Sequence, residues 1–155
     1  MNIQENIYLD CEADDFFKRN FNDIVFEESG LRNNKHSIYE NILNQFRETL
    51  HSSSVLEIGC CIGDLLNKLK NDHDCKAEGI EPSKLACGYA KEKYNLDLIN
   101  DTFNNSKYFG FNPINHEKFD LIIVDDVLSW MSRDLILPAL ASIDWMIKPK
   151  GAIYI

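Results

Sequence analysis

VLEIGCCIGDLL, residues Val55 to Leu66, is the stretch that decides the fold of this chain. It reads as an apolar strand carrying one acidic residue, Glu57, followed by two glycines and the start of a helix. Glycine lets the backbone turn tightly and approach a bound molecule, and open α/β sheets bind ligands at the carboxyl ends of their strands. The stretch therefore predicts a ligand-binding turn after the first strand, with a plain tight turn as the alternative.

Short apolar runs separated by helical stretches continue from this strand to the end of the sequence, which is the pattern of a parallel sheet with crossover helices. The predicted strands are Ser54 to Ile58, Cys75 to Ile80, Leu96 to Ile99, Phe119 to Val124 and Ala152 to Ile155. The predicted helices between them are Asp64 to Asn71, Lys84 to Tyr94 and Asp134 to Ile147. The fold class is therefore α/β, with a doubly wound, mostly parallel sheet.

The first 50 residues are predicted to be mainly helical. A short helix from Glu12 to Phe21 precedes an acidic loop that reaches Asn34, and an amphipathic helix follows from Lys35 to Leu50. We predict an N-terminal helical cap over residues 1–50 and a core over residues 51–155, together forming one domain.

Composition excludes several classes of protein. With 155 residues, 45% of them hydrophobic, the chain suits one globular domain. Its net charge of −9 disfavours nucleic acid and anionic lipid as partners. It has no long apolar run and no basic, apolar N-terminus, so we expect neither a membrane span nor a signal peptide. The five cysteines match neither a zinc site nor a disulfide framework, so we expect a reducing, cytoplasmic location and no bound metal.

Several catalytic patterns are missing from the sequence. The dinucleotide fingerprint GxGxxG would need glycines where Cys61 and Asp64 stand, which weakens the interpretation as an NAD-dependent oxidoreductase. The sequence has no GxSxG elbow and no phosphate loop. The histidines are scattered without a metal-ligating or triad pattern, and we interpret them as surface residues: His36, His51, His73 and His116.

The second informative stretch, AEGIEPS, places Glu81 at the end of the second strand, 24 residues after Glu57. A carboxylate there has two acceptor oxygens for the 2′- and 3′-hydroxyls of a ribose, and this spacing is close to that of nucleotide-binding βαβ units. Glu81 is accordingly predicted to bind a ribose. The alternative is an exposed loop carboxylate, with Ser83 capping the next helix.

The segment E-I-G-C-C-I-G, Glu57 to Gly63, resembles the first motif of the class I S-adenosylmethionine-dependent methyltransferases, an acidic residue followed by GxGxG. Cys61 stands at the central glycine. The resemblance implies a Rossmann-like methyltransferase fold, S-adenosylmethionine as cofactor and S-adenosylhomocysteine as product. It also implies that Glu57 lies near the amino-acid moiety of the cofactor and that the following loop lines it, through Gly59, Cys60, Cys61 and Gly63.

The resemblance extends to three further motifs. It implies that Pro82 adjoins the ribose site beside Glu81, and that in LINDTF the carboxylate of Asp101 accepts from the adenine amino group while Phe103 covers the ring. The alternative for this third motif is an ordinary turn after a strand. The fourth, FDLIIVDDVLSWM, would run beside the methionine end of the cofactor and the methyl acceptor, with Asp125, Asp126, Val127 and Trp130.

Asp125 and Asp126 are the candidate catalytic residues, as a general base or a substrate anchor, and Trp130 would form a wall against the sulfonium or the substrate. Adjacent carboxylates at a strand end point in alternate directions, so the alternative for each is that it faces solvent or caps the next segment. Trp145 and Met146, in the last helix, are interpreted as core residues.

YLDCEADDFFKRN, Tyr8 to Asn20, is similar to the openings of bacterial methyltransferases that act on cell-surface sugars. This implies a small polar acceptor, such as a sugar or a capsular or lipopolysaccharide precursor, and a helix carrying Phe16 and Phe17 that covers the cofactor. The alternative is an amphipathic helix that completes the core.

The family continues through a sixth and a seventh strand, and this sequence ends before both. The last strand, GAIYI, would then be an apolar edge, so we expect a homodimer through it, a missing C-terminal half or poor solubility. The predicted function is methyl transfer to a small-molecule acceptor. The alternative is a catalytically silent remnant of the fold that binds the cofactor or a partner.

Overall fold

A computed structural model describes residues 11–21 and 30–155. The helices are α1 (Ala13–Asn20), α2 (Gly30–Leu50), α3 (Asp64–His73), α4 (Lys84–Tyr94) and α5 (Arg133–Met146). The strands are β1 (Ser54–Ile58), β2 (Lys76–Ile80), β3 (Phe119–Val124) and β4 (Ile147–Tyr154). Single 3-10 turns cover Phe103–Asn105, Pro113–Asn115 and Leu128–Trp130. Within the described ranges, none of the helices combines the length and the apolar character needed to cross a bilayer.

The four strands form one parallel sheet in the order β2-β1-β3-β4. In β1, Leu56 lies opposite Glu78 of β2 on one side and Ile122 of β3 on the other. Since β2 and β3 flank β1, the winding of the chain reverses there, and the strand ends diverge into a crevice of the kind that receives ligands in doubly wound sheets. The predicted α/β class and doubly wound sheet are confirmed.

Alternating side chains of the strands face two hydrophobic clusters, one on each side of the sheet. Val55 of β1 and Leu121 of β3 pack with α2, α3 and Ala90 of α4. Leu56 and Ile122, from the same two strands, pack with α5 and the segment before β3. The sheet is therefore covered by helices on both faces, and α2 packs in the same cluster as β1.

The predicted strand from Leu96 to Ile99 is reduced to one parallel bridge between Ile99 and Ile80. The Ile99 N–H donates to the Gly79 carbonyl at 2.9 Å, and the Glu81 N–H donates to the Ile99 carbonyl at 2.9 Å. The preceding residue Leu98 packs its side chain against the position of Gly79. The segment extends the sheet beyond β2 by a single contact and is not a strand.

Two other boundaries differ from the prediction by five residues, and the remaining ones by no more than two. β4 begins at Ile147, directly after α5. The predicted turn around Pro149 is instead an irregularity within this strand, where Lys150 has a φ of 70°. The pairing of β4 with β3 shifts register at the same place, between Phe119 and Leu121 of β3. α2 begins at Gly30, five residues before the predicted start. The remainder of the predicted acidic loop, residues 22–29, lies outside the described residues, as do residues 8–10 of the N-terminal similarity.

Candidate functional site

A cavity opens at the carboxyl ends of β1, β2 and β3, and α1 lies across it. Its wall combines the loops after all three strands with the phenylalanines of the N-terminal segment. Most of the residues predicted to bind cofactor or substrate line it: Gly59, Cys61, Glu81, Pro82, Asp101, Phe103, Asp125, Asp126, Val127 and Trp130. Loops that are far apart in sequence therefore meet in one concave site.

The loop after β1 requires left-handed backbone at two wall positions. Gly59 has a φ of 72°, and a Cβ there would overlap Cγ2 of Val127, in the loop after β3. Cys61 has a φ of 53° although it carries a side chain, a conformation that costs about 1–2 kcal/mol for an L-residue. This explains physically why the family motif has glycine where Cys61 stands.

The Glu81 carboxylate ties two loops of the site together. It is 6% exposed; its Oε2 accepts a hydrogen bond from the Cys61 N–H and its Oε1 accepts one from the Ser83 N–H, both at 2.8 Å. An ionised carboxylate has about four acceptor positions, so one of its oxygens can accept from a backbone N–H and from a hydroxyl at the same time. Glu81 can therefore hold the loop after β1 in place and still bind a pair of hydroxyls.

The segment after the Ile99 bridge forms a second wall of the cavity. Asp101 Oδ1 accepts a hydrogen bond from the Thr102 N–H at 2.8 Å, so this carboxylate acts as a turn residue while it lines the cavity. Oγ1 of Thr102 is buried and has no hydrogen-bond partner among the described residues. Phe103 is 5% exposed and meets Phe109 edge to face, with 5.6 Å between ring centroids. This wall presents one carboxylate, one hydroxyl and one firmly packed ring.

The loop after β3 places its two carboxylates differently. Asp126 has a φ of 53° and is exposed, and its Oδ1 accepts a hydrogen bond from the Ser129 hydroxyl at 2.9 Å. Asp125 is half-buried. Within the described residues, no group of histidine, cysteine, aspartate or glutamate side chains is arranged to hold a metal ion. The loop thus places one half-buried and one exposed carboxylate in the cavity wall.

Helix α1 covers the cavity with aromatic side chains. Phe16, Phe17 and Phe21 line it, and Phe16 meets Trp130 edge to face at 6.4 Å between centroids. The Phe17 and Phe21 rings stack at 5.6 Å. The helix with Phe16 and Phe17 therefore covers the cavity in which the cofactor residues were predicted to lie.

Asp14 fixes α1 to the start of α4. Its Oδ1 accepts hydrogen bonds from the Ser83 hydroxyl at 2.7 Å and from the Leu85 N–H at 3.1 Å. Ser83 in turn caps α4 by accepting from the Ala86 N–H at 3.0 Å. Burial acts to raise the pKa of the Asp14 carboxyl, but the bonds from Leu85 and Ser83 outweigh it, and the pKa lies below its usual value.

Residues 55–151 match the family model of the methyltransferase domain, well over half of the chain. The chain belongs to this methyltransferase family. A comparison with curated protein sequences finds no match. Among solved structures, the chain is similar to a protein of Methanococcus maripaludis assigned as an S-adenosyl-L-methionine-dependent methyltransferase, with TM-score 0.65, 18% identity, and 99% of this chain and 64% of that chain covered.

Two further solved structures are similar to this chain. One is an S-adenosylmethionine-dependent methyltransferase of Leishmania major, with TM-score 0.71, 15% identity, and coverage of 99% of this chain and 63% of that one. The other is PKMT2 of Rickettsia typhi in complex with AdoHcy (S-adenosylhomocysteine), with TM-score 0.51, 26% identity, and coverage of 67% and 20%. The chain thus spans no more than 64% of the length of these three neighbours. Family and neighbours together support S-adenosylmethionine as the cofactor of this methyltransferase.

Three residues predicted to bind the cofactor of this methyltransferase lie behind the cavity wall. Glu57 is 1% exposed and Cys60 is fully buried. Burial, with the neighbouring carboxylates of Glu57 and Glu81, raises the pKa of the Cys60 thiol well above its usual value, so Cys60 is a neutral packing residue. Gly63 faces Leu96 and Leu98 instead of the cavity. These three residues support the loop after β1 by packing in the interior instead of lining the cavity.

Sequence reasoning did not assign a site role to several residues of the wall: Ala13, Phe21, Asp64, Ser83, Thr102, Asn104 and Met131. Most of them directly adjoin a residue that was assigned, so wider windows around the four motifs would have included them. Ala13 and Phe21 belong to the N-terminal segment, where helical periodicity alone does not show which face meets the cavity.

Removing the Asp14 carboxylate is expected to loosen α1. Asp14→Ala should lower the free energy of unfolding in urea by about 1 kcal/mol at pH 7, the usual cost of losing a helix cap. Because the pKa of folded Asp14 lies below its unfolded value, this contribution is present above an unfolded pKa of about 3.9 and is lost as the pH falls through the lower folded value. The difference between wild type and variant should therefore shrink below about pH 4.

Asp15→Ala is the matched control, because Asp15 lies in the same turn and forms only an exposed pair with Lys18 at 3.0 Å. It should change stability by no more than a few tenths of a kcal/mol. Equal losses for the two variants would show that Asp14 does not fix α1 to α4.

Proposed function

We propose that this chain is an S-adenosylmethionine-dependent methyltransferase that methylates a small polar acceptor bound beside Asp126 and Trp130. The observation that carries the proposal is the buried Glu81 carboxylate, held by two backbone N–H groups at the carboxyl end of β2 inside the cavity. The family match to a methyltransferase domain supports the same chemistry.

The cavity wall fits an adenosyl group at three points. The Glu81 carboxylate lies in the cavity wall, and a carboxylate oxygen that accepts from a backbone N–H can also accept from a ribose hydroxyl. At Gly59 the backbone faces the cavity at a position where a Cβ has no room. The third point is the wall segment of Asp101 and Thr102, where the Asp101 carboxylate can accept from the amino group of a purine. Each of these features suits a nucleoside better than an empty turn.

The residues of the chain bind the cofactor and the acceptor, orient them towards each other, and exclude water. S-adenosylmethionine, when bound, supplies an electrophilic methyl group on its sulfonium. Glu81 and the loop after β1 hold the nucleoside, and the α1 phenylalanines with Trp130 keep water from the reacting atoms. The Asp126 carboxylate, which accepts a hydrogen bond from the Ser129 hydroxyl, can take a proton from the acceptor. Positioning accounts for most of the catalysis, since no covalent step on a side chain is needed.

Two narrower expectations remain part of this proposal. A sugar, or a capsular or lipopolysaccharide precursor, is one class of small polar acceptor, supported by the similarity over residues 8–20. A homodimer through β4 is supported by the position of that strand, which pairs with β3 on one side and carries the 40% exposed Ile153.

The experiment that tests the proposal is calorimetric titration of the purified chain with S-adenosylmethionine and S-adenosylhomocysteine, with NAD as control. We expect micromolar dissociation constants for the first two and no heat from NAD. Absence of binding to both would refute the proposal, and binding of NAD alone would indicate an oxidoreductase. Cofactor binding with no transfer to any acceptor would indicate the catalytically silent alternative.

A further inference from the structure

All charged side chains in the described wall of the cavity are carboxylates: Asp64, Glu81, Asp101, Asp125 and Asp126. The two cations of α1 are more than half exposed, and each pairs with an acidic residue of its own segment, Lys18 with Asp15 and Arg19 with Glu12. A phosphate or carboxylate on the acceptor would therefore find no opposite charge in this wall.

The cofactor accounts for part of this negative charge. Glu81 is held by backbone N–H groups and suits the ribose, while Asp101 bonds the Thr102 N–H on the adenine side. The carboxylates after β3 lie elsewhere, near Trp130. Asp126 is exposed, accepts a hydrogen bond from the neutral Ser129 hydroxyl, and forms no described ion pair with a lysine or arginine. Its negative charge is not neutralised within the described residues.

Aromatic rings line the same cavity as this carboxylate. Trp130, four residues after Asp126 and 42% exposed, meets Phe16 with the ring planes at 72°. The faces of aromatic rings carry negative electrostatic potential and attract ammonium groups, tryptophan most strongly. Carboxylate and rings together form a surface that favours a cation over a neutral or anionic group of the same size.

We infer that the acceptor is a small molecule bearing an amine that is protonated in solution, and that its nitrogen is the atom methylated, an inference that rests on the proposed function. The ammonium first gives a proton to the Asp126 carboxylate or to water. The nitrogen lone pair then forms a bond to the methyl carbon while the bond between that carbon and the sulfur breaks. The electron pair of the broken bond stays on the sulfur, which becomes a neutral thioether. The methylated nitrogen carries the positive charge, beside the same carboxylates.

The test compares three probes of similar shape on protein saturated with S-adenosylhomocysteine: benzylammonium, benzyl alcohol and benzoate. Calorimetry at pH 7 and low salt should show benzylammonium binding at least about ten times more tightly than benzyl alcohol, with benzoate the weakest. Equal affinities, no binding of any probe, or a preference for benzoate would overturn the inference.

A matched pair of variants locates the effect. Asp126→Asn keeps the shape of the side chain and an oxygen that can accept from Ser129. Asparagine also tolerates the left-handed backbone at this position, so only the charge changes. It should remove most of the preference for benzylammonium, whereas Asp97→Asn, on the remote and largely exposed ion pair with Lys91, should retain it. Failure of S-adenosylhomocysteine to bind would refute the proposed function. Its binding without an ammonium preference would refute the acceptor class alone.

Discussion

Glu81→Ala is expected to weaken the binding of S-adenosylmethionine at least about a hundredfold. Two hydrogen bonds from ribose hydroxyls to a carboxylate contribute about 1.5–3 kcal/mol each, and about 1.4 kcal/mol corresponds to a tenfold change in affinity. The variant also loses the acceptors for the Cys61 and Ser83 N–H groups, so the loop after β1 is released at the same time. Calorimetric titration with S-adenosylmethionine measures the loss directly.

Glu92→Ala controls for the removal of a negative charge, since Glu92 is exposed on α4 and lies outside the described cavity wall. It should bind the cofactor as the wild type does. Unfolding of each variant in urea separates lost binding from lost folding. If folded Glu81→Ala binds S-adenosylmethionine within threefold of wild type, the assignment of Glu81 to the ribose is wrong.

Gly59→Ala is expected to lower the free energy of unfolding by about 2–5 kcal/mol, which is large for a single added methyl group. The left-handed φ of 72° is unfavourable for alanine, and the new Cβ would overlap Cγ2 of Val127. Relieving that overlap displaces the loop after β1 or the loop after β3, and both line the cavity. Cofactor affinity should therefore fall with stability, as measured by urea unfolding and titration.

Gly88→Ala makes the same change where the structure has space, because a Cβ at Gly88 meets nothing within 4 Å and the residue lies inside α4. It should raise stability by about 0.5–1 kcal/mol, as glycine-to-alanine changes inside helices do. Adding Val127→Ala to Gly59→Ala removes the overlapping methyl group and should recover part of the loss. No recovery in the double variant would refute the steric explanation.

The features of the site that the sequence predicted are local ones. The apolar run of β1, the glycine directly after it and the carboxylate at the end of β2 are each contained within a few residues. A strand end next to glycine already specifies a ligand-binding turn in a parallel sheet. Gly59 and Glu81 could therefore be placed without knowledge of tertiary contacts.

Tertiary contacts decide the rest. The segment around Leu98 has strand-like alternation. The Leu98 side chain, however, packs against Gly79, and only Ile99 of this segment pairs with β2. The bonds from the Ser83 hydroxyl and the Leu85 N–H to Asp14 join residues 69 and 71 positions apart. No local pattern encodes such distant pairs, so neither the reduced strand nor the attachment of α1 through Asp14 was predictable, and only the N-terminal similarity implied that the helix covers the site.

The contact between Asp14 and Ser83 also has a consequence for synthesis on the ribosome. At a translation rate of about 5–20 residues per second, roughly 3–14 seconds separate the addition of these two residues. During that interval Phe16 and Phe17 have no docking site on α4. Helix α1 can therefore attach to the start of α4 only after β1 and β2 have been made.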